Sequence, residues 1–168
     1  GSDDIGPVPL GNDSCASPRA WQEHDLEEML LASRRLGVPM LIGSAGDTGT
    51  NSRVDMYVQI IRDIAAKHGL PPFKLGWFYS EVDRDLVRAK IRGGSPIRGL
   101  DAREDLTEAE LEATARVVAM AGVHPFVRLL EEGCDVIIGG RSSDSAIFAA
   151  CALHKGFPEA QSYYLGKV

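Results

Sequence analysis

Three short apolar segments, each followed by a polar or glycine-rich loop and then by a helix-forming segment, most strongly limit how this chain can fold. They cover residues 38–44 (VPMLIGS), 74–82 (KLGWFYSEV) and 134–139 (CDVIIG). A continuous apolar run of this length is typical of a strand buried on both faces of a parallel sheet. The alternation predicts a single α/β domain over residues 1–168: a three-layer sandwich with a mostly parallel sheet and helices on both faces, joined by right-handed crossovers.

The helix-forming segments have recognisable starts and ends. Ser17 can cap a first helix with Pro18 at its first position, and Gly37 ends that helix. Residues 53–68 carry apolar side chains at i, i+3, i+4 and i+7, the stripe of an amphipathic helix. Thr107 is the first residue of a T-x-x-E capping box, which opens a helix predicted to continue as far as Gly122. Short helices are also predicted after residue 83, from residue 125 and before residue 156.

Composition excludes several classes of protein. The chain has 168 residues, a net charge of -6 and a pI near 5.2, so a basic surface for nucleic acid is not expected. The longest apolar runs are far shorter than the ~20 residues of a membrane helix. Cys15, Cys134 and Cys151 are odd in number and scattered, which favours free thiols and a cytoplasmic location. The four histidines lack ligand spacing, so we expect no metal site, and the sequence identifies no cofactor.

The three predicted strands end in loops that carry polar side chains. In an open parallel sheet, ligands bind beyond the carboxyl ends of the strands, so the loops LIGSAGDTGTN, SEVDRD and GGRSSDS are expected at one edge. The candidate catalytic residues there are Asp47 and Asp144. The candidate ligand-binding residues are Ser44, Gly46, Thr48, Gly49, Asn51, Arg141, Ser142 and Ser143.

The first of these loops has the spacing G-x-x-G-x-x-G at Gly43, Gly46 and Gly49. This is neither the dinucleotide fingerprint nor a P-loop, so the fold is predicted to be Rossmann-like without a dinucleotide fingerprint. The glycines either let a ligand approach main-chain N–H groups at a helix start or only allow a tight turn. Asp47 is a candidate base, hydroxyl acceptor or metal ligand, but an aspartate in such a turn can also simply bond the local backbone. Asn51, or Ser52 after it, is expected to cap the following helix.

The loop GGRSSDS has the same features, namely glycines followed by polar side chains at the start of a helix. Arg141 can hold a carboxylate or phosphate with two parallel hydrogen bonds, which predicts a small anionic ligand; the alternative is a surface ion pair with Asp144 or another acid. Ser142 or Ser143 is expected to cap the helix that follows. We predict that the two glycine-containing loops share one cleft and hold the anion jointly, which requires their strands to be neighbours or separated by one strand.

Four segments together resemble the acyclic terpene utilisation AtuA family: GSDDIGPVPLG, LIGSAGDTGTN, ARVVAMAGVHPFVRLLEEGCDVIIGGRSSDSAIFAA and YYLGKV. The resemblance covers nearly the whole chain. It adds Asp4 to the candidate ligand-binding residues, since the opening segment matches a similar stretch in the family. It also implies that this chain is an incomplete part of a longer AtuA-like domain, because family members extend further in both directions.

The resemblance implies a place in the breakdown of branched acyclic terpenes and related acids. Together with the strand-end residues it suggests a lyase or hydratase acting on a branched carboxylate or CoA thioester, with carboxylates that move a proton next to a carbonyl. The alternative is a non-catalytic module for ligand binding or subunit assembly. An incomplete sheet leaves an unpaired edge and an apolar face, so we expect either a homo-oligomer or completion by the remainder of the protein.

Overall fold

The computed structural model describes residues 7–101 and 103–168. Helices and strands alternate along this part of the chain, as the sequence predicts. The elements are α1 (Pro7–Asn12), α2 (Arg19–Leu36), β1 (Met40–Ile42), α3 (Asn51–His68), β2 (Leu75–Phe78), α4 (Arg84–Arg92), α5 (Glu108–Ala113), α6 (His124–Glu131), β3 (Val136–Gly139), α7 (Ala146–His154) and α8 (Glu159–Lys167).

The three strands form one parallel sheet in the order β1-β3-β2. Val136 of β3 is level with Met40 of β1 on one side and with Leu75 of β2 on the other. The predicted parallel α/β fold is therefore confirmed. The strands are shorter than predicted, and at β1 the reason is local: Ser44 has a φ of 45°, a left-handed conformation that turns the chain out of the ladder.

Helices cover both faces of the sheet. Successive β3 side chains point to opposite faces. Val136 and Ile138 pack in a core with residues of α2 and α3, whereas Ile137 packs in a second core with residues of α6 and α7. All three side chains are fully buried. The predicted three-layer arrangement is thus confirmed, with β3 at its centre and β1 and β2 at its edges.

The helix predicted from Thr107 to Gly122 is wrong in its second half. The capping box of Thr107 and Glu110 is present, but α5 ends at Ala113. Instead, residues 117–121 cross the carboxyl ends of β2 and β3, where their main chain makes four hydrogen bonds. The bonds are Val82 N to Val117 O (2.9 Å), Ala119 N to Ser80 O (2.8 Å), Ala121 N to Arg141 O (2.9 Å) and Ser143 N to Ala121 O (2.9 Å). Long-range pairing here overrides a helical pattern that local residues only weakly support.

One helix start and one whole helix also differ from the sequence prediction. Helix α2 begins at Arg19 with Pro18 in the N-cap position, and Ser17 does not cap it with its side chain. Helix α8, which packs along α7, was not predicted. No helix in the described ranges combines the length and apolarity needed to cross a membrane.

Candidate functional site

The loops after β1 and β3 are bound to each other at the carboxyl edge of the sheet. Ser44 and Ser142 are each 1% exposed and exchange three hydrogen bonds. Ser44 N donates to Ser142 Oγ (3.2 Å), Ser44 Oγ to Ser142 O (3.0 Å) and Ser142 N to Ser44 Oγ (3.1 Å). Both hydroxyls are buried and join the two loops, and contact of these two residues with a ligand stays a prediction.

Gly49 allows a main-chain contact between the same loops. It has a φ of 66°, and its carbonyl accepts a hydrogen bond from Arg141 N at 3.0 Å. A Cβ atom at this position would lie 2.1 Å from Arg141 N, a distance at which the backbone must move. Gly46 also has a positive φ, 59°, and a Cβ there would meet the side chain of Arg53 at 2.9 Å. Turn geometry and close packing therefore account for both glycines, and their contact with a ligand stays a prediction.

Asp47 joins this edge to the segment before α2. Its φ is 70°, and its Oδ2 accepts hydrogen bonds from Ala16 N (2.8 Å) and Ser17 N (3.4 Å). The side chain thus bonds main-chain groups, which was the structural alternative to a catalytic role. The bonded groups lie about 30 residues away in the chain instead of within the same turn. These two donors fix one carboxylate oxygen of a half-buried side chain.

Arg141 lies directly beside Asp47. The side chain is half-buried, and its Nη1 donates to the main-chain oxygen of Asp47 at 3.3 Å. The structure therefore brings the Arg141 side chain against the main chain of Asp47, one of the two acidic residues that the sequence placed at this edge. Asp144, the other carboxylate, is exposed and lines a pocket of about 250 Å³ together with Ser143 and Gly43.

Several predicted caps are made by other residues. Helix α3 has Thr50 as its N-cap without a side-chain cap bond, and Asn51 N donates instead to Glu81 Oε1 at 2.8 Å. Helix α7 has Ser145 at its N-cap, so neither Ser142 nor Ser143 caps it. Ser143 Oγ is within 3.1 Å of Ser145 Oγ.

A polar cluster that the sequence did not indicate surrounds the start of α3, and Asp13 is at its centre. Its carboxylate accepts hydrogen bonds from Thr50 Oγ1 at 2.9 Å and from Ser52 Oγ at 2.8 Å. It also forms ion pairs with Arg53 at 3.4 Å and with Arg116 at 3.0 Å. Burial alone raises the pKa of Asp13, but the bonds from Ser52 and Thr50 and the charges of Arg53 and Arg116 outweigh it and hold the pKa below its usual 3.8.

Arg116 connects this cluster to β2. Its Nη1 lies 3.1 Å from Glu81 Oε1, the same oxygen that receives Asn51 N. Four parts of the chain therefore meet here: the segment after α1, the start of α3, the loop after β2, and the segment between α5 and α6 that includes the crossing residues 117–121. No local pattern can reveal such a cluster, since Arg116 and Asp13 are 103 positions apart. The only available signal was the position of Glu81 in a strand-end loop.

The remaining candidate residues differ in accessibility. Thr48 is 3% exposed, with its Oγ1 3.5 Å from Thr50 Oγ1. Asp4 lies outside the described residues. Asp47 lines a pocket of about 340 Å³ along β1, which shares Gly43 and Ile147 with the Asp144 pocket. In the described ranges, no group of three or more histidine, cysteine, aspartate or glutamate side chains is placed to hold a metal ion.

These features define a parallel α/β protein whose candidate site is built from strand-end loops and lacks a dinucleotide fingerprint. The family described as acyclic terpene utilisation family protein AtuA matches residues 15–164, so the chain belongs to the acyclic terpene utilisation AtuA family. Membership implies a role in acyclic terpene utilisation. Neither the curated proteins nor the solved structures contain a match to this chain.

Proposed function

We propose that this chain forms part of a small-molecule catabolic enzyme, a lyase or hydratase that acts on a branched carboxylate or its CoA thioester. The observation that carries the proposal is the placement of Arg141 against Asp47, with Nη1 3.3 Å from the Asp47 main-chain oxygen at the shared ends of β1 and β3. Strand-end loops of a parallel sheet are where such folds bind ligands. The family's association with acyclic terpenes supports a branched substrate.

In this proposal the guanidinium of Arg141 holds the substrate's carboxylate or the phosphates of a thioester carrier, because its planar donors match those groups. Asp47 then removes or returns the proton on the carbon next to the carbonyl. In the elimination direction that proton goes to the carboxylate and the β-hydroxyl leaves as water, taking a proton from a second acid. Asp144, which lines the adjoining pocket, is the candidate for that acid.

The orientation of Asp47 supports its proposed role. Ala16 N and Ser17 N bond Oδ2 and fix the plane of the carboxylate. A base held in this way loses little conformational freedom when it acts.

The test is to measure binding and turnover of unsaturated branched-chain acids and their CoA thioesters with the full-length protein. We expect Arg141→Met to weaken acid binding by about 1.5–3 kcal/mol, the range for a charged hydrogen bond, with little change in the free energy of unfolding. Asp47→Asn should abolish turnover and leave binding largely intact. Arg128→Met is the matched control, because that side chain is 81% exposed and, among the described residues, its ion pair is with Glu132 one helical turn away.

Two results would refute the enzyme proposal. One is an unchanged affinity in the Arg141 variant, and the other is turnover that survives loss of both Asp47 and Arg141. Binding that depends on Arg141 without any turnover would favour the alternative, a non-catalytic ligand-binding or subunit-assembly module. The observation favouring that alternative is the set of exposed apolar side chains beside β1, among them Trp21 and Met29. Sedimentation analysis would test the homo-oligomer that such a module predicts.

A further inference from the structure

Residues 13–17 lie between α1 and α2, and we call this short segment the strap. One end of the strap bonds the carboxylate of the proposed base, because Ala16 N and Ser17 N donate to Asp47 Oδ2 at 2.8 Å and 3.4 Å. The other end is Asp13, the centre of the polar cluster at the start of α3. The strap therefore joins that cluster to the Asp47 carboxylate.

The strap is held at Asp13 by two arginines. Arg53 bonds both parts of the residue: its Nε lies 3.4 Å from Oδ1, and its Nη2 donates to the main-chain oxygen. Arg116, from the segment between α5 and α6, pairs with Oδ2 at 3.0 Å. The three charged side chains are only 22–30% exposed, so salt screens their attraction less than that of a surface pair. Asp13 is therefore a firmly held point of the chain.

The neighbouring contacts are weaker than this anchor. Helix α1, which precedes the strap, makes no substantial packing contact with another described helix or strand. Within the strap, Cys15 Sγ is a weak acceptor that lies 3.6 Å from Arg53 Nη1. Only two residues separate Asp13 from Ala16, so a displacement of Asp13 is passed on to the Ala16 amide. Ser17 has a second attachment, because its carbonyl oxygen accepts from Gln22 Nε2 of α2 at 2.7 Å.

We propose that Asp13 and Arg116 are positioning residues, which hold the strap so that the Ala16 amide orients the Asp47 carboxylate. They act through the strap and not on the substrate. A catalytic group is effective only when its supporting contacts hold it close to the productive geometry. The role of Asp47 in proton transfer rests on the proposed function, whereas the coupling between the cluster and the strap does not.

The first test is Asp13→Asn in the full-length protein. Asparagine keeps the size of the side chain and tolerates the left-handed φ of 48°, so the change removes mainly the charge. We expect hydrogen–deuterium exchange of the Ala16 amide, resolved by mass spectrometry with electron-transfer fragmentation, to rise at least tenfold. The Ser17 amide should respond less, because Gln22 still holds that residue. At low urea concentrations the Ala16 rate should not depend on urea, which marks local opening and excludes global unfolding as its cause.

Glu81→Gln is the matched control. Glu81 pairs with Nη1 of the same arginine, Arg116, at 3.1 Å, but it does not belong to the strap. This variant should leave the Ala16 exchange rate within about twofold of wild type. Arg116→Met should accelerate the Ala16 amide, Arg116→Lys should restore most of the protection, and Arg116→Met should add little in the Asp13→Asn background, because both changes break one ion pair.

Turnover provides the second measurement. Arg116→Met should lower kcat at least tenfold and change KM by less than about twofold, because the base loses its orientation while the substrate contacts remain. An unchanged Ala16 rate in Asp13→Asn would overturn the coupling and leave the proposed function standing. Equal acceleration in Glu81→Gln and Asp13→Asn would also overturn it, as would an unchanged kcat in an active Arg116→Met enzyme. Accelerated Ala16 exchange in a protein without turnover would support the coupling and count against the enzyme.

Discussion

Replacing Gly49 with alanine tests whether the two loops of the candidate site are held together as described. An alanine with a φ of 66° is strained by about 1–2 kcal/mol. The added Cβ would also lie 2.1 Å from Arg141 N and 2.4 Å from Arg141 Cα, and overpacking of this kind costs about 1–3 kcal/mol more. Separation of the loops would break the bond from Arg141 N to Gly49 O, at about 0.5–1.5 kcal/mol.

Gly37→Ala provides the matched control. Gly37 has a φ of 65°, and a Cβ there would meet nothing within 4 Å, so this variant carries the backbone strain without the clash. Subtracting the two leaves about 1.5–4.5 kcal/mol for the contact with Arg141. At about 2–4 °C per kcal/mol for a chain of this size, Gly49→Ala should melt at least about 3 °C below Gly37→Ala.

The assay is urea unfolding followed by circular dichroism, with thermal melts as a second measurement. The midpoint should fall further for Gly49→Ala, with a similar slope for both variants if unfolding remains two-state. Equal free energies of unfolding for the two variants, within about 0.5 kcal/mol, would show that the loops after β1 and β3 are not in close main-chain contact, and the shared cleft would lose its geometric basis.

Two predictions concern pH. The depressed pKa of Asp13 stabilises the folded protein above pH 3.8, and this stabilisation is lost as pH falls below that value through the folded-state pKa. In urea unfolding at a series of pH values, the difference in free energy of unfolding between wild type and Asp13→Asn should therefore shrink below pH 3.8. A constant difference would contradict the described cluster. Burial raises the pKa of Tyr57 to about 12. An ultraviolet titration should therefore show a tyrosine ionisation step well above the usual 10.0, and this step should be absent in Tyr57→Phe. Because the folded-state pKa is the higher one, stability from neutral Tyr57 should decline as pH rises above 10.0, and normal ionisation of every tyrosine would show that this side chain is not buried.

The sequence by itself determined the class of fold and the edge at which the candidate site lies. The runs containing β1, β2 and β3 are apolar without alternation, and this local property already indicates a parallel sheet covered on both faces. The convergence of Asp47 and Arg141 followed as well, because the carboxyl ends of parallel strands share one edge. The capping box at Thr107 was equally readable, since all its atoms belong to four consecutive residues.

Only the tertiary structure decided how the site is held together. Residues 117–121 are extended instead of helical because their main-chain partners, such as Ser80 and Arg141, come from distant segments. Asp13 meets Arg116, and Glu81 receives Asn51 N, only after the crossing segment and the strand-end loops have been brought together. Sequence periodicity reports which side of an element is buried. It does not report which distant donor meets which acceptor, because that pairing depends on strand order and loop path, which are properties of the whole fold.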